Sequence, residues 1–382
     1  MKMRIGLRSI VVVVVFLIVT LVSGWIHAAE PAKWYPFKVQ AWYGNYDPGD
    51  KEPGKPAPSL TGPKTIDWVP PAKAKKPWII GVSFPHLKDP SWVAGNFGVY
   101  DEAKRLGVEM RLVAAEGYTA IDQQVRQIED LVSQGVNAIL LAAISYTASD
   151  KLVEEITKKG IPVVAMINDI RAPAIAAKSI NSFFKLGYQC GEFVLKDSEG
   201  KKEVNVVLLP GPAGAGWSPE SATGFTEAVN KLAPGRVKIL DTKWGDPGKA
   251  EQLRLLENSL QAYAKIDYII GNAVAIDVGT EILAEKGLTG KVKLVSTYLT
   301  APLYDKVVKG TVAGSAIEGQ PYEGRIAVDQ AVLTLEGGKP GFDFPFRIGP
   351  DIPFLHKGNV KQYTFEYLLG PRNFRPTFNY KP

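Results

Sequence analysis

Aromatic residues recur where predicted strands end, and they are the side chains in this sequence best suited to hold a ligand. The loops beyond the carboxyl ends of parallel strands bind the ligands of α/β proteins. Rings held there either stack on sugar faces or surround a methylated ammonium group, at about 0.5–2 kcal/mol per ring. Any one of these rings could instead pack in a hydrophobic core, so the prediction of a ligand site rests on how many of them occur at strand ends. The seven are Trp92, Tyr118, Tyr146, Phe183, Trp217, Trp244 and Tyr298.

An aspartate stands beside the first of these rings, in the stretch SFPHLKDPSW. Asp89 precedes Pro90, which suits the first turn of a helix, so its carboxylate can cap that helix. It could equally face a ligand, and the two roles are compatible because a carboxylate has two oxygens. Other carboxylates could pair, although sequence spacing cannot show it: Asp169, Asp246 and Glu318.

Patterns for catalysis or metal binding are missing from the sequence. Beyond residue 29 the histidines are His86 and His356, about 270 residues apart, and neither has another ligand at metal-binding spacing. No G-x-S-x-G motif occurs. The glycine-rich segment 209–220 lacks the Gly-Lys-Ser/Thr ending of a phosphate loop. We therefore predict a protein that is not an enzyme and uses no metal or cofactor.

Apolar segments alternate with helical patterns from residue 78 onward. This alternation predicts right-handed βαβ units with parallel sheets. Two sets with the same spacing indicate two similar lobes, whose strand ends would meet around a central cleft. The strand-like segments are 78–84, 108–114, 138–143 and 161–167, then 204–209, 237–242, 268–273 and 292–298.

The first 77 residues differ in character from the rest. Residues 1–29 place three basic residues before a long apolar run and small residues, a pattern typical of a secretory signal peptide. An uncleaved membrane anchor is the alternative. Residues 30–77, rich in proline, predict an extended arm whose aromatics hold it to the body, with a mobile part from about 47 to 64.

Composition and charge exclude some functions. The 382 residues are 46% hydrophobic and 22% charged, which suits about two globular domains. Loss of residues 1–29 would remove three positive charges from a formal net charge of +6, leaving +3. That balance is too weak to argue for a nucleic-acid partner. The single cysteine, Cys190, cannot form an internal disulfide.

The stretch IIGVSFPHLKDPSWVAGNFGVYDEAKRLGVEMRLV resembles the first βαβ unit of type I periplasmic binding proteins, the ribose-binding family. The likeness extends over roughly residues 78–345. It implies two Rossmann-like lobes with parallel sheets and a hinged central cleft that holds the ligand. The implied lobes are 78–182 plus about 320–345, and 183–319 plus about 346–382 with the tail.

A closer resemblance is to the TorT-like sensors of this family, and it rests on motifs such as INDIRAP, LVSTYL and NFRPTFNY. These sensors detect trimethylamine N-oxide (TMAO) and signal to a membrane histidine kinase. Matching motifs imply ligand contacts by Asp89 and Trp92 in KDPSW, Tyr118 in EGYT and Tyr298 in STYL. Phe183, in SFFKLGY, stands where the family carries tryptophan, and its ring has a weaker quadrupole.

The chemistry of TMAO suits the side chains that the resemblance selects. Rings would hold its three methyls, Asp89 would face the positive nitrogen, and the Tyr298 hydroxyl or a backbone amide would meet the oxygen. A sugar would need several carboxylates, arginines and amides. At the sugar-contacting positions of the family, Asn168 and Asp89 are polar, but Ala273 and Tyr298 replace an amide and a carboxylate, which favours a methylamine.

We thus expect a periplasmic sensor that binds TMAO or a related small methylamine and signals to the periplasmic domain of a histidine kinase. The alternative is the solute-binding component of an ABC importer for a sugar or small polar metabolite. The residues predicted to bind the ligand are Asp89, Trp92, Tyr118, Phe183, Tyr298, Asn168, Trp217 and Trp244.

Overall fold

The computed structural model describes residues 34–49 and 55–382, so the predicted leader, residues 1–29, lies outside it. No helix in the described part of the chain is long and apolar enough to cross a membrane. The strands are β1 (Phe37–Tyr43), β2 (Thr61–Trp68), β3 (Ile79–Phe84), β4 (Glu109–Ala114), β5 (Ala138–Leu141), β6 (Val163–Met166), β7 (Ala177–Ser179), β8 (Val204–Leu209), β9 (Val237–Thr242), β10 (Tyr268–Gly271), β11 (Lys293–Ser296), β12 (Gly314–Ser315), β13 (Arg347–Pro350), β14 (Leu355–His356) and β15 (Asn379–Tyr380).

Side chains cap the N-termini of α1, α4, α7 and α10 among the ten helices. They are α1 (Pro90–Leu106), α2 (Ile121–Ser133), α3 (Asp150–Lys158), α4 (Phe183–Asp197), α5 (Trp217–Leu232), α6 (Lys249–Ala262), α7 (Ala273–Glu285), α8 (Ala301–Lys309), α9 (Gln320–Leu335) and α10 (Phe365–Leu369). At α1, the Asp89 side chain accepts a hydrogen bond from Ser91 N, and Gly107 ends the helix at φ 77°.

The strands form two sheets, one for each lobe. The first has the order β15-β4-β3-β5-β6-β7-β13-β1-β2 and is parallel from β4 to β13. The second has the order β14-β12-β11-β10-β8-β9 and is parallel except at β14. This arrangement confirms the predicted α/β fold of two lobes with parallel sheets.

The chain passes between the two sheets four times, after β7, β12, β13 and β14. Asn181, in the first crossing, ties the first three together. Its side-chain amide donates hydrogen bonds to the carbonyl oxygens of Glu318 (3.0 Å) and Pro350 (3.1 Å) in the other two. Its backbone N–H donates to Glu323 Oε1 at 2.7 Å, at the start of α9. The first three crossings therefore share one hydrogen-bonded centre.

The segment for which the sequence suggested an extended arm contains a β-hairpin. β1 pairs antiparallel with both β2 and β13, and it buries Phe37, Val39 and Ala41 on one face. That alternation is an ordinary strand signal, obscured in the sequence by the surrounding prolines. Pro63 is accommodated because β2 is the outermost strand, where a missing N–H leaves no partner unbonded.

The C-terminal tail is divided between the sheets, whereas the sequence placed residues from about 346 with the second lobe. β13 and β15 pair within the first sheet, and β14 pairs within the second. Strands this short and irregular carry too few residues for a periodic pattern, so only the tertiary structure shows where each one pairs.

Candidate functional site

Seven of the eight predicted binding residues surround one small cavity between the lobes. Each lies at or just beyond a strand end, as parallel-sheet geometry requires. The cavity is also lined by Ser91, Ile167, Pro247 and Glu318. The seven are Asp89, Trp92, Tyr118, Asn168, Phe183, Trp217 and Tyr298.

The first turn of α1 places Trp92 against the end of β3. Its indole packs on Phe84, with ring centroids 5.0 Å apart, and is 3% exposed. Asp89 fixes this turn because its Oδ1 accepts the Ser91 N–H at 2.9 Å. Helix capping therefore aims the tryptophan into the cavity.

Asp89 also makes a hydrogen bond across the cleft. Tyr298, which follows β11 of the second lobe, donates its hydroxyl hydrogen to Asp89 Oδ2 at 2.5 Å. Burial raises the pKa of the Asp89 carboxyl, and the hydrogen bonds from Ser91 and Tyr298 oppose that rise. One carboxylate thus caps a helix with one oxygen and joins the lobes with the other.

Trp217 is the centre of the aromatic side of the cavity. Its ring lies 6.0 Å from Tyr118, 6.0 Å from Phe183 and 5.9 Å from Tyr298. These rings come from both lobes and from the first crossing, at separations typical of tilted and edge-to-face contacts. Five rings, counting Trp92, therefore face one small space.

Asn168 orients Tyr118. Its side-chain amide donates to Tyr118 Oη at 3.0 Å and to the carbonyl oxygen of Ala143 at 2.9 Å. The preceding residue, Ile167, has φ 63°, a left-handed conformation that is rare and costly for a β-branched side chain. This strained turn after β6 brings both Ile167 and Asn168 to the cavity.

The electrostatics of the cavity are acidic and aromatic. Its lining contains two carboxyl side chains, Asp89 and Glu318, and none of the described residues that line it is lysine, arginine or histidine. The space left is about 20 Å³, whereas a single ordered water needs about 10–15 Å³. The lobes are therefore closed tightly, around a surface suited to a compact, positively polarised group.

Comparison with known proteins identifies the family. Residues 80–339, about two thirds of the chain, match the model of a family described as a periplasmic binding protein domain. The chain belongs to the periplasmic binding protein family. The fold and the periplasmic location predicted from the sequence are those of this family, whose members bind solutes.

Two kinds of relative are similar to this periplasmic binding protein. The periplasmic protein TorT of Escherichia coli K12 is 31% identical over 318 residues, covering 83% of this chain and 89% of TorT. The resemblance to TorT-like members is therefore confirmed. A TorS sensor domain–TorT complex solved in the presence of TMAO is 28% identical, with a TM-score of 0.70, over 79% of this chain and 99% of that one.

The second relative is an ABC transporter solute-binding protein from Bradyrhizobium sp. BTAi1, solved with bound Bis-Tris. It is 39% identical, with a TM-score of 0.75, and covers 91% of this chain and 99% of its own. Residues 78–382 are about four-fifths of the chain, so this likeness must extend into the segment before residue 78, which holds the hairpin.

Trp244 is the one predicted binding residue that the structure places elsewhere. It is 39% exposed and lines a surface groove beside α5. The loop after β9 reaches the cavity of the binding protein at Pro247 instead. β9 is the outermost strand of the second sheet, so its end lies away from the cleft.

His86 supports the cavity from behind, a role that sequence reasoning missed. Its ring lies 6.0 Å from Trp92 and 5.4 Å from Tyr118. Nδ1 accepts the Lys88 N–H at 3.2 Å, while Nε2 has no hydrogen-bond partner among the described residues. Burial, with a contribution from Lys88, lowers the pKa of His86 to about 4, so the ring is neutral near pH 7.

Glu318 was identified in the sequence only as a carboxylate that could pair. In the binding protein it lines the cavity, just after β12 and within the second crossing. Burial, the neighbouring Glu323 and Asp89 raise the pKa of the Glu318 carboxyl well above its ordinary value. Its position just beyond a strand end is the signal in the sequence that could have placed it at the cavity.

Proposed function

We propose that this protein is a periplasmic sensor that binds TMAO or a related small methylamine between its lobes. On binding, it signals to the periplasmic domain of a membrane histidine kinase and releases its ligand unchanged. The observation that carries the proposal is the composition of the cavity: five aromatic rings and two carboxyl groups, with no basic side chain among its described lining.

The cavity suits a methylated, positively polarised nitrogen better than a sugar. Each ring face attracts such a group at about 0.5–2 kcal/mol. A sugar would leave most of its hydroxyls facing rings, with the desolvation cost of unmet hydrogen bonds. TorT, solved in the presence of the amine oxide TMAO, and the relative holding the tertiary amine Bis-Tris both support a ligand with a substituted nitrogen.

The link from ligand to kinase is closure of the lobes. The Tyr298–Asp89 hydrogen bond forms only when the two strand ends meet. Asn181 joins the first three crossings through its hydrogen bonds, which would couple their movement. A surface that spans both lobes would therefore exist in its final shape only in the closed state, and a partner can distinguish that state. The complex of TorT with the TorS sensor domain supports a kinase as this partner.

Isothermal titration of the exported protein with TMAO tests the proposal. We expect saturable binding, measured with and without the periplasmic domain of the cognate kinase. A parallel thermal-shift screen of methylamines, amine oxides and pentoses ranks the ligand classes. No heat at millimolar TMAO under either condition would exclude the TMAO assignment, and stabilisation by a pentose alone would replace it with sugar binding.

The second candidate is the solute-binding component of an ABC importer. It is favoured by the 39% identity to an ABC transporter solute-binding protein, a likeness that includes part of the segment before residue 78. The candidates differ in their partner and in their ligand, since the importer would take a sugar or a small polar metabolite. A permease and an ATPase encoded beside this gene would favour import, and a histidine kinase gene would favour sensing.

A further inference from the structure

Glu318 presents one uncommitted oxygen at the cavity. Its side chain is 3% exposed, and Oε2 accepts a hydrogen bond from Gln320 Nε2 at 2.7 Å. Oε1 is fully buried and has no hydrogen-bond partner among the described residues. A buried polar atom without a hydrogen-bond partner costs about 1–3 kcal/mol. A ligand that forms a hydrogen bond with this oxygen therefore gains binding free energy of that size.

The other polar groups around the cavity are largely committed. Both oxygens of Asp89 accept hydrogen bonds, one of them from Tyr298, whose hydroxyl hydrogen is thereby used. The Asn168 amide donates to Tyr118 and to a backbone carbonyl. Trp217 Nε1 is the other fully buried atom of the described cavity lining that has no hydrogen bond of good geometry. The sequence offered the Tyr298 hydroxyl or a backbone amide to the ligand's oxygen, and the structure shows that this hydroxyl is bonded to Asp89.

The surroundings of Glu318 favour its neutral form. The titratable groups that face it are Glu323 from α9, Asp89 from the start of α1, and the hydroxyls of Tyr118 and Tyr298. None of these is a cation, and an ionised buried carboxylate without a cation is costly. The raised pKa of Glu318 has this origin. Since Oε2 already accepts from Gln320, the acidic hydrogen belongs on Oε1, facing the cavity.

We propose that Glu318 binds the ligand as a neutral carboxylic acid, donating the hydrogen on Oε1 to the oxygen of an amine oxide. The inference rests on the proposed function and narrows it. The rings hold the methyl groups, Asp89 lies toward the positive nitrogen, and Glu318 meets the oxygen. The site then selects amine oxides over quaternary ammonium ions of the same shape, because those ions carry no acceptor.

Calorimetry on the full protein tests this assignment with TMAO and tetramethylammonium as probes, between pH 6 and pH 10. The parent should bind TMAO at least about tenfold more tightly than tetramethylammonium, as one hydrogen bond to a charged group requires. TMAO affinity should fall as the pH rises and the Glu318–Glu323 pair loses its proton. Glu323 has a pKa raised to about 8 by burial, so the two carboxyls titrate together.

Two substitutions separate hydrogen-bond donation from charge. Glu318→Gln keeps a donor without an ionisable group, so TMAO affinity should stay within about threefold of the parent and lose its pH dependence. Glu318→Ala removes the donor and should weaken TMAO binding about tenfold or more. Thermal unfolding confirms that each variant is folded. Glu220→Gln is the matched control, since Glu220 is also buried with a raised pKa but lies outside the cavity lining.

The outcomes test the role of Glu318 separately from the proposed function on which it rests. Absence of TMAO binding by the parent would overturn the proposed function. TMAO binding that survives Glu318→Ala, or a pH dependence that persists in Glu318→Gln, would overturn the role of Glu318 alone. Tetramethylammonium that binds as tightly as TMAO, and more tightly at high pH, would also overturn it, because Glu318 would then act as an anion.

Discussion

Two buried acidic regions of the molecule are built in opposite ways. Where the hairpin meets α1 and α9, Glu102 and Asp329 lie among arginines. Arg325 is 1% exposed, donates to Glu102 Oε2 at 3.1 Å and lies 4.3 Å from the Trp34 ring centre. In the cavity, Asp89 and Glu318 have rings around them but no basic neighbour among the described lining.

The difference shows which acidic groups are structural. Arginines and the hydrogen bond from Trp68 Nε1 to Asp329 (2.8 Å) pair the carboxyl groups of the hairpin cluster within the protein itself. Among the described residues, the cavity leaves one carboxyl oxygen and one indole N–H without a hydrogen bond. Carboxyl groups that are paired with arginine contribute stability, whereas a carboxyl oxygen left unpaired at a cavity is ready to bind a ligand.

The strongest test of this contrast is Arg325→Met. It leaves Glu102 Oε2 buried without its partner while Oε1 keeps Arg105, so the free energy of unfolding should fall by about 3 kcal/mol. Urea denaturation measures the loss. Arg254→Met, which breaks a pair at the surface, should leave the unfolding free energy nearly unchanged. Equal effects of the two substitutions would mean that the hairpin cluster is not structural.

The neutral His86 behind the cavity gives a test by pH. Its folded pKa of about 4 lies below the ordinary 6.5, so the folded state resists protonation. Stability from this group is full above pH 6.5 and is lost as the pH falls toward 4. We expect a loss of about 2 kcal/mol between pH 7.5 and pH 5 from this residue.

His86→Asn should flatten that decline, because its side-chain oxygen can accept the Lys88 N–H without titrating. His356→Asn is the matched control, since His356 Nδ1 accepts from Gly358 N in the same local geometry near the surface. A decline that is equally steep in His86→Asn and in the parent would assign it to other groups.

A second contrast is between aromatic rings in the cavity and aromatic rings at the surface, and two tryptophans test it. Trp92→Ala removes one cavity wall and should weaken TMAO binding at least about tenfold, or ~1.4 kcal/mol. Trp244→Ala makes the same change in the surface groove and should leave the affinity unchanged. Titration calorimetry on both variants measures this. If Trp92→Ala binds TMAO as tightly as the parent, the ligand does not bind in this cavity.

The smallest expected effect concerns the bond across the cleft. Tyr298→Phe keeps the ring but removes the donor to Asp89, so TMAO affinity should fall about fivefold, or ~1 kcal/mol. Tyr304→Phe also deletes a hydroxyl hydrogen bond, to the Tyr363 carbonyl, but away from the cavity. If both variants bind TMAO like the parent, lobe closure does not depend on this bond.

Sequence alone could place the rings because parallel strands bring their ends to one edge. Trp92, Tyr118 and Tyr298 follow directly from that rule. It failed for Trp244, because which strand is outermost depends on sheet order, and that order does not appear in local pattern. The partners of Glu318 and the neutral state of His86 arise from burial, which a linear pattern does not measure.

The hairpin has a consequence for how the chain assembles. Val39 in β1 pairs with Pro350 in β13, so nearly the whole chain separates these partners. In a polypeptide that emerges N-terminus first, β1 must wait for almost all later residues before its ladder can form. Contacts so distant in sequence slow folding. The polar outer strand β2, with Pro63 and Lys64 exposed, discourages stray strand pairing during that wait.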